Sequence, residues 1–211
     1  MNGKVFVSFA LAASILAGCQ TTGSSTAAVT PASVELPPVN ARIPSVGDSA
    51  VWLMQDGNQL GSKVVSVNGN SVYVEREDGC SWSNIVGAFE PTGEWKNCES
   101  GSGSQTSKLT TGSIYPLQVG NKESWDFSGT NTSGDSWSST RNCEVVGTAS
   151  VTVPAGTFDT YRVVCEDKWW VRESYITAEG YSVKWSRTRK VGASDRNRSG
   201  ELVSRSLAAS S

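Results

Sequence analysis

The sequence predicts a mainly β chain. Antiparallel meander sheet, in two similar halves, forms a curved sheet or small barrel with little helix. Three observations predict it. Runs of Val, Ile, Thr, Tyr and Trp end at Asn-Gly, Asp-Gly or Pro-Ala-Gly. No stretch of about ten residues keeps helical spacing. Four of the five cysteines lie in or between the strand runs, an even number suited to stapling a sheet.

Taken in order, the chain opens with Met1-Asn2-Gly3-Lys4, then runs apolar from Val5 to Leu16 except at Ser8 and Ser14. As helix that run rises about 18 Å, short of a membrane core of about 30 Å. A basic start, a short apolar core and small residues at its end describe an export signal, residues 1–18. Leu16-Ala17-Gly18-Cys19 resembles the bacterial lipobox. The resemblance implies cleavage after Gly18, a diacylglycerol thioether on Cys19 and an acylated, typically palmitoylated, N-terminus. Several acyl chains together anchor stably. An ordinary secretory signal that contains a cysteine is the plain alternative. By the same resemblance Gln20, where inner-membrane retention favours Asp, implies the outer membrane; the periplasmic face is expected, though Gln20 does not decide the face. Residues 19–43 are Thr-, Ser-, Ala-, Val- and Pro-rich and carry Pro37-Pro38, which describes a flexible tether. An ordered arm around Val34 to Ile43 is its alternative.

The strand runs follow. An N-terminal unit, 44–99, holds Ser49–Gln55, Lys63–Val67, Ser71–Glu77 and Cys80–Ala88. Asn68-Gly69 between two of these is a strong hairpin signal. Residues 100–114 are Ser-, Gly- and Thr-rich and predict a flexible loop. A C-terminal unit, 115–190, holds Lys122–Ser128, Trp137–Val146, Ala149–Val153, Phe158–Glu166, Trp169–Ile176 and Tyr181–Arg189. Residues 191–211 carry few apolar side chains and predict a disordered tail. Val46-Gly47-Asp48 leads to Trp52 as Val119-Gly120-Asn121 leads to Trp125, and a proline precedes each motif. Coincidence accounts for so short a match as readily as duplication does.

Composition excludes several activities. There is no histidine, which removes Ser-His-Asp and Cys-His catalysis and the commonest zinc ligand. Without Lys4 the chain has 17 basic and 20 acidic residues, no field for nucleic acid. Beyond Cys19 remain Cys80, Cys98, Cys143 and Cys165, an even number that predicts disulfides outside the cytosol. Three pairings exist; Cys80–Cys98 with Cys143–Cys165 is preferred here. The spacing suits no zinc site.

Val151-Thr-Val-Pro-Ala-Gly-Thr-Phe-Asp-Thr-Tyr-Arg-Val163 is a hairpin, with Pro154-Ala155-Gly156 as a three-residue turn. That turn would set position 167 opposite Cys143, and a bulge near Gly147 would bring Cys165 there. The stretch resembles a motif of uncharacterised bacterial envelope proteins of the DUF3108 type. Trp169-Trp170-Val171, Tyr175-Ile176 and Glu179-Gly180-Tyr181-Ser182-Val183-Lys184 fit the strands that follow it. The resemblance spans about Tyr115 to Lys190 and implies a periplasmic curved sheet. It implies no reaction.

Eight tryptophans are many for this length. Core filling suits most of them, but in a strand Trp169 and Trp170 face opposite sides. One of the pair therefore leaves the main core. Lys184, Arg187, Arg189 and Lys190 make a basic strand end, with Arg196 and Arg198 beyond it and Arg187 and Arg189 on one face. Such a run touches anionic lipid or polymer, or guards a solvated edge. Glu75 with Glu77, and Glu166 with Asp167, predict solvated strand charges rather than a glycosidase pair.

The sequence thus describes an outer-membrane lipoprotein, not an enzyme, with a binding or structural role in the envelope. It implies no cofactor and no metal. The partners expected are the membrane, through Cys19, and an envelope protein or glycan. Trp169, Trp170, Arg187 and Arg189 are the candidate binding surface. A lipid or lipoprotein carrier with an apolar cavity is one alternative. An inhibitor of an enzyme such as lysozyme, using Glu99 to Gly112 as a protruding loop, is another.

Overall fold

The computed structural model describes residues 28–31, 35–86, 89, 93–99, 101–190 and 197–208. The predicted signal 1–18, Cys19 and tether residues 20–27 lie outside the described residues. Thirteen strands and no helix make up the described chain: β1 Val29–Pro31, β2 Ser49–Met54, β3 Gln59–Asn68, β4 Ser71–Arg76, β5 Ser81–Ile85, β6 Glu94–Cys98 and β7 Gly101–Gly112 in the first part. They continue as β8 Lys122–Asn131, β9 Ser136–Val153, β10 Gly156–Glu166, β11 Trp170–Thr177, β12 Ser182–Arg189 and β13 Arg198–Ser206. Each of β2 to β13 pairs antiparallel with its neighbours in sequence, and β13 pairs with β2. The twelve close into a small barrel, which abolishes the sheet edges. β1 lies outside the ring, against Ala149–Val151 of β9.

Closure falls between two six-strand halves, β2–β7 and β8–β13, and the repeated motif opens each half. Gly47 has φ 96° and Gly120 φ 94°, the left-handed region that glycine enters without strain. Gly47 N–H donates to the Val64 carbonyl, whose own N–H donates to Asp48. Gly120, Val145 and Asn121 repeat that exchange. Just beyond each valine the partner strand bulges, and the bulged residues Val65 and Val146 are both 42% exposed. Four matching residues in sequence thus correspond to a matching turn, bond pattern and bulge.

Two segments depart from expectation. Residues predicted as a flexible loop form β7, and part of the predicted tail forms β13. Both are poor in large apolar residues because their glycines receive tryptophans. Trp95 stands opposite Gly103 of β7 and Trp185 opposite Gly200 of β13, and Trp137 stands likewise opposite Gly129 of β8. A Cβ on these glycines would lie 2.3 to 2.8 Å from the facing indole. A ring laid flat over a neighbouring strand needs glycine beneath it. Most tryptophans are accordingly half-buried, and only Trp170 is fully buried.

Residues of the predicted tether form an ordered arm instead. Val39 is buried and exchanges both backbone hydrogen bonds with Leu117. The Tyr161 hydroxyl donates to the carbonyls of Leu36 and Pro37, at 2.8 and 3.2 Å. These contacts close a core of Ile114, Leu117, Val145, Tyr161, Val163 and Ile176. Asp48 ties the segment before β2 to the residues after β13. Its carboxylate accepts from Arg42 and Ser45 on one side and from the Ala208 N–H on the other.

Cys80 bonds to Cys98, and Cys143 to Cys165, with Cα–Cα distances of 4.4 and 4.0 Å. The β9–β10 turn is one residue shorter than predicted, since Val153 pairs directly with Gly156. One extra residue at Val146 then makes up the register and sets Cys143 opposite Cys165.

The packing of tryptophan on glycine is directly measurable. Gly200→Ala would place a methyl 2.5 Å from Trp185 Nε1 and should cost about 1–3 kcal/mol. Gly147→Ala meets nothing within 4 Å and should change stability by about 0.5 kcal/mol or less. Urea midpoints of the two variants, at unchanged slope, compare them.

Candidate functional site

The candidate residues Trp170, Arg187 and Arg189 come together on the inner face of the barrel. Two rows of side chains cross the sheet there. In the first, Cys143 faces Cys165, Cys165 faces Arg172, Arg172 faces Arg187, and Arg187 faces Arg198. In the second, Arg189 faces Trp170, beside Asp167 and Arg141. The Arg187 guanidinium lies 3.7 Å from the Trp170 ring centroid and that of Arg189 5.0 Å from it. Stacked guanidinium over indole is an attractive, geometry-specific contact. Arg187 and Arg189 do share a face, but β12 is an interior strand between β11 and β13. The solvated-edge explanation of this basic run therefore does not hold.

Trp169 sits apart from that stack. Lys168-Trp169 is the two-residue turn between β10 and β11, so Trp169 does not alternate with Trp170 along a strand. Its half-buried ring meets Phe127 edge-on, with the Lys168 ammonium 5.3 Å from its centroid. The predicted opposition of the two tryptophans gives way to a turn.

Asp167 holds the site together. It was expected to be a solvated strand charge, yet its side chain is fully buried. One oxygen accepts the N–H groups of Trp169 and Trp170, both at 2.9 Å, which shapes the turn. The other accepts from Arg172 at 2.5 Å and from Arg141 at 3.2 Å. Burial opposes its ionisation, but Arg172, the Trp169 N–H and Arg141 outweigh burial and hold its pKa below the ordinary value. The signal available in sequence was Asp-x-Trp-Trp, an aspartate able to bond the backbone two and three residues on.

The cluster remains rich in positive charge. Burial, followed by the like charges of Arg172, Arg141 and Arg198, pulls Arg187 down to about 9, with Asp167 partly offsetting them. Arg187 is still cationic at neutral pH. Its Nε is buried and has no hydrogen-bond acceptor among the described residues. Arg198 pairs with Glu99 across the barrel end, beside the Cys80–Cys98 bond. Arg198 is 39% exposed, so the row opens to solvent at that end, and Arg172, beyond Arg187, is 24% exposed.

Other candidates fall elsewhere. Glu75 and Glu77 are exposed, and Glu77 accepts the Gly61 N–H. The stretch proposed as a protruding inhibitory loop is barrel wall, β7. A groove of about 510 Å³ crosses β7, β8 and β9, lined by Thr106, Ser107, Asp126, Ser128, Ser138 and Thr140. Phe127 shares that lining with the hydroxyl groups. Among the described residues no three His, Cys, Asp or Glu side chains group to hold a metal ion.

No protein-family model matches the chain, and no curated protein matches it. Solved structures similar to it include the following two. One is the hypothetical lipoprotein YmcC from Escherichia coli (K12), 8% identical, with 75% of this chain and 84% of that one covered and a TM-score of 0.49. The other, from Bacteroides fragilis, is described as an exported protein with a YmcC-like fold. It is 10% identical, with 80% of this chain and 99% of that one covered and a TM-score of 0.44. At such identities and TM-scores neither carries an activity, ligand or partner to this chain.

The charge balance around Asp167 sets a pH dependence. Its folded pKa lies below the ordinary 3.8, so its stabilising contribution is complete above that value. The contribution disappears as pH falls through the lower, folded pKa. Asp167→Asn leaves Arg141 and Arg172 without their carboxylate and should cost about 3–5 kcal/mol at neutral pH. Denaturation midpoints from pH 6 to 2 should fall steeply in the wild type and less in the variant.

Proposed function

We propose that this chain is an outer-membrane-anchored lipoprotein, on the periplasmic face, with a non-catalytic binding role in the bacterial envelope. The observation that carries the reading is the Trp170–Arg187–Arg189 stack inside a closed barrel, with the Trp170 N–H held by buried Asp167. Burying several guanidinium groups is costly, and a stability role alone is met more cheaply by apolar residues. Two disulfides support a compartment outside the cytosol. The Leu16-Ala17-Gly18-Cys19 motif supports acylation at Cys19, and Gln20 supports the outer membrane. The chain has no histidine to serve as a general base, and the buried carboxylate is committed to two arginines and two backbone donors.

Labelled palmitate tests the anchor. Wild type should incorporate label, accumulate as precursor under globomycin and sediment with outer-membrane markers. Cys19→Ser should lose both the label and the sedimentation. Wild-type chain that takes no label and stays soluble would overturn the reading.

A further inference from the structure

We infer that the arginine row on the inner face binds an oxyanion, a phosphate or sulfate group, whose charge completes the cluster. This rests on the binding role proposed above and names its ligand chemistry. Arg172, Arg187 and Arg198 are direct cross-strand neighbours, one strand apart each time. Like charges directly opposite one another on a sheet destabilise it. Arg141 and Arg189 add two more cations within the same pair of rows. Among the described residues, Asp167 is shared by Arg141 and Arg172, and Glu99 meets Arg198. Neither carboxylate is bonded to Arg187, whose Nε is buried without an acceptor among the described residues.

An ion inserted along the row would lie between guanidinium groups on three adjacent strands, about 4.8 Å apart. Planar guanidinium donors match the tetrahedral oxygens of phosphate or sulfate in pairs, and such charge-assisted bonds are strong. Trp170 lies against Arg187, whose guanidinium carbon is 3.7 Å from the ring centroid, and its indole offers the Arg187 N–H groups no acceptor oxygen. The partial exposure of Arg172 and Arg198 supplies the entry. A lipid headgroup and a free phosphate share this chemistry.

The experiment uses the mature, acylated chain in a neutral detergent. Thermal unfolding and tryptophan emission are followed while inorganic phosphate replaces chloride at constant ionic strength. Wild type should show a saturable rise in midpoint with phosphate, since a ligand of the folded state stabilises by mass action. Arg187→Met should weaken the phosphate response about tenfold or more while unfolding in chloride no lower than wild type, because a buried unpaired charge is gone. A merely structural arginine would give the opposite: lost stability and an unchanged response. Arg198→Gln, at an exposed end of the row, reports the same loss should Arg187→Met not fold. Soluble dihexanoyl phosphatidylglycerol is the second probe. Competition with phosphate assigns a lipid headgroup, and no competition assigns the free anion. A wild type indifferent to phosphate, or variants that respond as wild type does, would overturn the inference. Palmitate labelling of the same preparation separates the two proposals: labelled but indifferent chain sinks this one alone, and unlabelled but responsive chain sinks the anchor alone.

Discussion

The site depends on one buried carboxylate. Asp167 accepts four hydrogen bonds, two from the backbone it turns and two from arginines on different strands. The backbone bonds fix where β10 ends and β11 begins, and so fix Trp170 as the first residue of β11. The arginine bonds fix Arg141 of β9 against Arg172 of β11. An uncharged residue would meet the backbone donors and leave two guanidinium groups in a low-dielectric interior, where the penalty is several kcal/mol per ion. The same atoms that shape the turn therefore permit the cations.

A barrel of twelve strands encloses more width than aliphatic side chains fill, since diameter grows with strand number. This chain narrows its lumen with indole rings laid across glycine on the adjacent strand, at Trp95–Gly103, Trp137–Gly129 and Trp185–Gly200. Aliphatic packing is concentrated instead at the arm, around Leu117, Val145 and Val163, and beneath the β9–β10 hairpin, around Val151, Val183 and Leu202. The hairpin tip also bonds to the wall, through the Ala155 N–H and the Leu202 carbonyl. Apolar cohesion and the polar lumen thus occupy different parts of one barrel.

That division explains what was legible. Strands with β-branched residues on alternate positions, such as Ser71–Arg76 and Gly156–Glu166, show themselves because one face meets aliphatic core. β7 and β13 do not, because the apolar surface they contact belongs to tryptophans on other strands. Their own sequences, Gly101–Gly112 and Arg198–Ser206, carry the glycine and the charge that a loop would also carry. The arm at Val39 was hidden for a related reason: its partners Leu117 and Tyr161 are distant in sequence. Of the site, Trp170, Arg187 and Arg189 could be named from residue type. Arg198 showed only as one more basic residue beyond them, and Arg172 and Asp167 could not be joined to the site, because only the register across β10 to β13 sets them side by side.

Register itself rests on a single inserted residue. From the β9–β10 turn, where Val153 pairs with Gly156, an unbroken ladder would carry Cys143 to Glu166. A one-residue slip turns every side chain to the other face. Cys143 and Arg141 would then lie out of step with Cys165 and Asp167. Val146 absorbs the slip by bulging outward, and beyond it Val145 meets Val163 and Cys143 meets Cys165. The first half bulges at Val65, after a turn of the same form, yet no disulfide joins β3 to β4 there. The bulge therefore belongs to the architecture common to both halves. The disulfide, Arg141 and Asp167 are what the second half has built on it.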